Sequence, residues 1–187
     1  MNIWHDINPS RITKEEFEVV IEISRGGKNK YELDKETGML RLDRVLHTST
    51  HYPANYGFIP RTYAGDNDPL DALVLSSEII LPMTLVRCYS IGVITMFDKG
   101  EVDEKIISIP CKDPHYNSYQ DISQLPNHVF KEIEHFFTVY KILEEYETEV
   151  IGVLNREEAT EIIQKCIEAY NDKFSSPDSL WDLKVAG

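Results

Sequence analysis

The segment GDNDPLDALVL, residues 65–75, sets Asp66, Asp68 and Asp71 directly against the apolar run Ala72-Leu73-Val74-Leu75. Two carboxylates about 5 Å apart at an effective dielectric of ~20 repel by roughly 3 kcal/mol. A divalent cation is the simplest partner to offset that repulsion. Residues at i and i+2, such as Asp66 and Asp68, point to the same side of an extended backbone, and Pro69 stiffens the turn by fixing its own φ. Oxygen-only ligands suit hard cations such as Mg²⁺, Mn²⁺ or Ca²⁺ rather than zinc. An EF-hand loop does not fit. Counted from Asp66, the glycine position is Asp71 and the bidentate glutamate position is Ser77. Taken alone, DxDxxD equally allows an Asx-turn with solvated carboxylates.

Other residues have the types needed for phosphate or metal chemistry. Asp98 and Asp103 flank the charged turn DKGEVD, and Lys105 follows. Lys30, Arg44, Tyr52 and Tyr56 lie in or near strand-like segments. Tyr140-Lys141 ends a helical run, where a lysine also suits the C-terminal dipole. Each of these alone reads as surface charge or half-buried aromatic. The six histidines form no HxH or HExxH pattern, and no GxxxxGK[ST] loop is present. Cys88, Cys111 and Cys166 are far apart with no CxxC spacing, which argues for reduced, partly buried thiols over a disulfide framework or a zinc site.

The elements that must position these groups follow from periodicity. Residues 1–16 read as a polar leader. Residues 17–23 alternate with period two, with Phe17, Val19, Ile21 and Ile23 on one face and Glu18, Val20 and Glu22 on the other. A turn at SRGGKN leads to a short strand over 30–33, a hairpin connection DKETG, and a return strand over 39–46. The Pro-, Gly-, Asn- and Tyr-rich stretch 47–71 reads as mostly loop. Further β-rich stretches cover 72–81, 84–97 and 105–109. The spacing then becomes helical: Val129, Ile133, Phe136, Phe137, Tyr140 and Leu143 recur at three and four, with Pro126 at the start. A second helix opens at Asn155 with Glu158 in a capping-box position and the stripe Ala159, Ile162, Ile163, Cys166, Ile167 and Tyr170. Strands first and helices last predict an α+β domain, a mainly antiparallel sheet or barrel packed by two helices.

A length of 187 residues allows one domain with a proper core, here 1–187, with 1–14 and 175–187 expected to be loose or peripheral. The formal net charge of −13 leaves no basic footprint for nucleic acid. No apolar run approaches the ~20 residues of a membrane span, and the N-terminus lacks a signal-peptide core. These features predict a cytoplasmic chain without membrane or nucleic-acid partners.

In order along the chain stand IEI (21–23), KYELD (30–34), DR (43–44), YPANYGFIP (52–60), DNDPLDAL (66–73), DKGEVDEK (98–105) and HFFTVYK (135–141). Together they resemble the soluble, magnesium-dependent inorganic pyrophosphatases over about residues 15–173. The resemblance implies a small closed, OB-like β-barrel with two packed helices, and hydrolysis of pyrophosphate to two phosphates by metal-activated water attack. It further implies Asp66, Asp71 and Asp103 as ligands of activating Mg²⁺, for which Mn²⁺ could substitute. Asp98 with Asp103 would hold a metal arriving with substrate, and Glu22 is a further acidic metal position. Asp68 would accept the proton of the attacking water. Lys30, Arg44, Tyr140 and Lys141 would grip phosphate oxygens. Tyr56 would line the site as a catalytic and substrate-binding residue, Glu32 would support it, and Lys105 would sit beside the carboxylates. Asn67 stands where many members have glycine, and the tail after 173 has no assignable counterpart. The implied assembly is a homo-oligomer, with a hexamer favoured. A hydrolase of nucleotides or short polyphosphates, or a cation- or phosphate-binding module, could share the carboxylates. The module would not need the set Lys30, Arg44, Tyr140, Lys141 and Asp68.

Overall fold

The computed structural model describes residues 2–98, 100–144, 146 and 148–174. Eight strands and two α-helices are present among them: β1 (Phe17–Ile23), β2 (Asn29–Leu33), β3 (Leu40–Val45), β4 (Asn55–Phe58), β5 (Asp71–Val74), β6 (Leu85–Asp98), β7 (Glu101–Pro110), α1 (Asn127–Val139), β8 (Thr148–Asn155) and α2 (Arg156–Phe174). Hydrogen bonding runs β1-β4-β5-β7-β6, and β6 pairs back with β1 through Phe17↔Cys88 to Val20↔Leu85, so the sheet closes on itself. All of these pairings are antiparallel except β5 with β7. β6 is long enough to serve twice: its first residues close the ring and its last ones carry β8. The β2–β3 hairpin stands as a separate two-stranded ribbon. The expected mainly antiparallel barrel with two C-terminal helices is therefore the architecture found.

Successive side chains on a strand point to opposite faces, and here both faces are covered. Leu73, Ile107, Ile109, Ile94 and Met96 pack with Ile133, Phe136 and Phe137 of α1. Their strand neighbours Ala72, Val74, Ile106 and Val93 pack with Ala159, Ile163 and Cys166 of α2. This two-sided burial explains why 17–23 is buried throughout despite its alternating charges. Glu18 is paired to Arg11 at 2.8 Å, and Glu22 accepts the Leu33 amide at 2.8 Å.

Several boundaries differ from the sequence reading. Residues 55–58 form a strand inside the expected loop, because pairing with β1 and β5 outweighs the local Gly and Tyr content. The strand read over 72–81 runs only over Asp71–Val74. β6 and β7 extend almost to the tip of their hairpin, pairing Asp98 with Glu101, so Asp98 and Asp103 belong to strands rather than to a loop. β8 was missed. It lies on β6 with one face half-open, so TEVIGVLN carries no strong period. Helix α1 stops at Val139, and Leu143, expected on its buried stripe, is 63% exposed on the following 3-10 turn Ile142–Glu144. The second helix begins as read. Asn155 Oδ1 accepts from the Glu157 and Glu158 amides at 2.8 and 3.2 Å, and Glu158 Oε2 accepts from Asn155 N at 3.0 Å. In the leader, Trp4, Ile7 and Ile12 are buried. Trp4 Nε1 donates to Thr62 O at 2.9 Å, and His5 Nδ1 lies 2.7 Å from the Tyr170 hydroxyl, tying the leader to α2. The tail 175–187 lies outside the described residues.

Gly57 in β4 shows how tightly the ring is drawn: a Cβ there would sit 1.8 Å from Val20 O of β1. Because both atoms belong to hydrogen-bonded strands, neither can move aside. Gly57→Ala is expected to cost roughly 3 kcal/mol of stability or to abolish soluble folding. Urea unfolding measures it, and a variant as stable as the parent would contradict this account of the barrel.

Candidate active site

A cleft of about 520 Å³ opens between the β2–β3 hairpin, the ends of β5 to β7 and the segment that leaves α1. Every site residue named from sequence lines it: Glu22 on β1, Lys30 and Glu32 on β2, Arg44 on β3, Tyr56 on β4, Asp66 and Asp68 before β5, Asp71 on β5, Asp98 on β6, Asp103 and Lys105 on β7, and Tyr140 and Lys141 beyond α1.

Strand register builds the acidic wall. The parallel pair β5–β7 sets Asp71 opposite Lys105, and Asp103 lies two residues back on the same face as Lys105. Lys105 is 2% exposed, and its ammonium donates to Asp71 Oδ2 at 2.7 Å and to both Asp103 oxygens at 3.0 Å. Burial opposes its charge, but Asp103 and Asp71 outweigh burial and hold the ammonium well above its ordinary range. The Tyr56 hydroxyl donates to Asp71 Oδ2 and accepts from Lys105 at 3.1 Å. Burial, then Asp71, pushes that phenol far up, so it stays protonated and serves as a donor. Asp66 is pushed up to about 6 by burial, then by Asp71 and Asp103. Glu22 is pushed up to about 8 by burial, then by Asp71, against the Leu33 amide. The acids are crowded, and a positive charge is what would relieve them.

The facing wall is basic. Lys30 pairs with Glu32, Lys141 with Asp98, and Arg44 with Asp43 and Glu144. Lys141 is lowered by burial, helped by Lys30 and Arg44 and opposed by Asp98. Lys30 of β2 and Arg44 of β3 thus lie near enough to Lys141 to disfavour its charge. Tyr140, 4% exposed, stacks on Phe136 at 5.1 Å.

The Asp66–Asp68 pair does not sit in extended backbone, as the spacing suggested. Asn67 has φ +67°, Asn67 N donates to Ala64 O at 3.1 Å, and Asp68 N donates to Asp66 Oδ1 at 3.1 Å. The chain makes an Asx-turn within the acidic cluster, as the second of the two readings of the motif expects. Asparagine tolerates the left-handed region, and the Tyr63 hydroxyl hydrogen-bonds its Oδ1. Asp68 is turned to the rim, 48% exposed, and pairs with Lys35.

Lys35, Asp43, Tyr52, Glu144 and Tyr146 also line the cleft without having been assigned a role from sequence. Asp43 had a signal, its adjacency to Arg44 in the DR motif. Glu144 had only its spacing of three from Lys141. Lys35 reads as an ordinary turn residue.

The donor set fits a hard divalent cation. It is all carboxylate, and Asp98 Oδ1 is buried with no hydrogen-bond partner among the described residues. Those residues include no closed cage of three ligands, since Lys105 lies between Asp71 and Asp103. A magnesium ion held by one or two carboxylates and retaining several waters needs no such cage.

Comparison with known proteins agrees with the geometry. Residues 19–171 match the family described as inorganic pyrophosphatase. The chain is 45% identical over 171 residues to soluble inorganic pyrophosphatase 2 of Chlamydomonas reinhardtii, covering 91% of this chain and 89% of that one. It is 46% identical over 167 residues to soluble inorganic pyrophosphatase 1 of Arabidopsis thaliana, covering 89% and 79%. Among solved structures, the inorganic pyrophosphatase of Thermus thermophilus superposes with a TM-score of 0.84 at 39% identity, covering 91% of this chain and 99% of that one. The Helicobacter pylori enzyme gives 0.85 at 42%, covering 89% and 99%.

Glu22 yields a pH-dependent test. Unfolded, it ionises near 4.5; folded, near 8. The folded chain therefore keeps a proton that the unfolded chain loses, and metal-free stability falls as pH rises through that window. Glu22→Gln keeps an acceptor for Leu33 N and removes the charge. In EDTA it is expected to stabilise the protein by roughly 1–3 kcal/mol at pH 8 and not at pH 4. Thermal unfolding at both pH values decides it, and an equal effect at both would refute the buried-charge account.

Proposed function

The chain belongs to the inorganic pyrophosphatase family and hydrolyses pyrophosphate to phosphate, and on that premise we propose how its cleft divides the work. Asp66, Asp71 and Asp103 hold the activating cations. Asp98, with Asp103, takes the cation that travels with substrate, and Glu22 adds a further carboxylate. The family is metal-dependent; Mg²⁺ is our assignment, with Mn²⁺ as a substitute, because every donor is a carboxylate oxygen. Bound divalent cations supply the positive charge that the substrate needs and lower the pKa of water towards neutrality.

The protein's own groups do the rest. Lys30, Arg44, Tyr140 and Lys141 bind and orient phosphate oxygens. Asp68 takes a proton from the attacking water at one of its carboxylate oxygens. As the bridging P–O bond breaks, charge spreads over phosphate oxygens, and the fixed cations Lys30, Arg44 and Lys141 stabilise it without having to move. Tyr56 is the donor that keeps Asp71 oriented, and Glu32 and Lys105 hold Lys30 and the carboxylates in place.

The observation that carries this reading is the pairing of opposites across one cleft. The cations Lys30, Arg44 and Lys141 gather on one side of the cleft, with the first two disfavouring the charge of Lys141, and face crowded acids whose protons are held unusually tightly. Metal pyrophosphate relieves both walls at once, whereas a cation-binding module would need only one of them.

Among the described residues no helix is long and apolar enough to cross a membrane. The three free thiols Cys88, Cys111 and Cys166 suit a reducing compartment, which we read as the cytoplasm. A homo-oligomer, a hexamer by preference, accords with the exposed apolar series Ile79, Leu81, Met83 and Leu85. Light scattering is expected to give about six times the 21.6 kDa chain mass, and a monomer would end that assignment.

Phosphate release from pyrophosphate should require Mg²⁺, stop with EDTA and fall about 10²–10⁴-fold in Asp68→Asn with the fold intact. An Asp68→Asn variant of normal rate would move the proton acceptor elsewhere. Faster release from nucleoside triphosphates than from pyrophosphate would displace the substrate assignment.

A further inference from the structure

The 3-10 turn Ile142–Glu144 follows directly on the pair Tyr140 and Lys141, and its last residue was given no role by the motif. The Glu144 side chain is 6% exposed and lies 2.8 Å, through Oε2, from Nε of Arg44 on β3. The N–H of Nε does not aim at that oxygen, and neither Nε nor Glu144 Oε1 has a hydrogen-bond partner among the described residues. The pair is a close, buried ion pair, and Glu144 is the neighbour that most favours the Arg44 charge against burial.

A buried carboxylate serving structure alone looks different in this protein. Asp113, 7% exposed, accepts from Ser76 Oγ at 3.0 Å, Ser77 N at 2.8 Å, Ser77 Oγ at 3.1 and 3.2 Å, and His115 N at 3.0 Å. A buried carboxylate oxygen left without a partner costs free energy. The buried carboxylate oxygens so left among the described residues are Glu144 Oε1 and Asp98 Oδ1. Both line the cleft, and both belong to partners of its basic groups.

We propose that Glu144 is a positioning residue for Arg44. The segment 140–144 then acts as a counter-charge strap, with Lys141 on Asp98 and Glu144 on Arg44. A guanidinium is a rigid fork whose direction decides what it can bind. Glu144 engages Nε and Asp43 engages Nη1, which leaves Nη2 for an oxygen in the cleft. Without Glu144, the same guanidinium has Asp43 as its remaining carboxylate partner and loses its aim. With it, the guanidinium is braced from two sides at the cleft wall before substrate arrives.

The proposal rests on Arg44 gripping phosphate, so the test separates the two. Arg44→Ala, Glu144→Gln and the double variant are compared with the parent enzyme by steady-state kinetics on magnesium pyrophosphate. Glu144→Gln keeps the shape and removes the charge, and thermal unfolding checks each fold. Expected are a KM about tenfold higher in Glu144→Gln, kcat changed less than KM, and no further loss when Glu144→Gln is added to Arg44→Ala. Glu144→Asp, which keeps the charge, should recover part of the affinity. If Arg44→Ala leaves KM unchanged, the phosphate-gripping role falls and this proposal with it. If Arg44→Ala raises KM while Glu144→Gln does not, or if the two effects multiply, Arg44 stands and the positioning role of Glu144 is overturned.

Discussion

Lys105 is the interaction on which the rest of the cleft depends. Its ammonium is almost wholly buried yet stays charged, because Asp71 and both oxygens of Asp103 lie within 3.0 Å. Removing either acid would leave the buried ammonium with a single carboxylate partner, and removing the lysine would leave two carboxylates repelling at close range. The barrel supplies this arrangement through register. A parallel β5–β7 pairing sets Asp71 beside Lys105, and the pleat sets Asp103 on the same side. Ring closure by β6 and β1, with Gly57 drawn close to Val20 O, keeps that register from slipping.

The same logic extends across the cleft. In the absence of substrate, each basic group lies on an acid: Lys35 on Asp68, Lys30 on Glu32, Lys141 on Asp98, Arg44 on Asp43 and Glu144. Carboxylates still outnumber cations in the cleft, with Glu22 and Asp66 in no ion pair among the described residues, so it stays acidic within a chain of net charge −13. Metal and pyrophosphate bring matching opposite charges, so binding exchanges partners rather than creating charge pairs from water. Side chains already in place need little reorganisation, which is the condition under which fixed charges stabilise a transition state best.

The acids are also where stability and activity oppose one another. Glu22 and Asp66 hold their protons unusually tightly, because burial and neighbouring carboxylates penalise the charged form. Their ionised forms suit a cation and cost the fold stability.

Much of this was legible in the amino-acid order. Motifs such as DNDPLDAL and YPANYGFIP carry their residue types at fixed spacing, and the helical periods and the Asn155–Glu158 cap are local properties of the chain. Those features determined the fold class, the two helices and the residues that gather at the cleft. Local spacing could not reveal β8, the strand at 55–58 or the end of α1 before Leu143, because each is decided by a partner distant in sequence. Nor could it reveal that Asn67 turns through positive φ, that Asp98 and Asp103 sit on paired strands, or that Lys35 and Glu144 reach the cleft. The sequence by itself determined which chemical groups are available. Tertiary structure alone decided which charge faces which, because Coulomb forces act over distances in space that the closed barrel, not the chain order, sets.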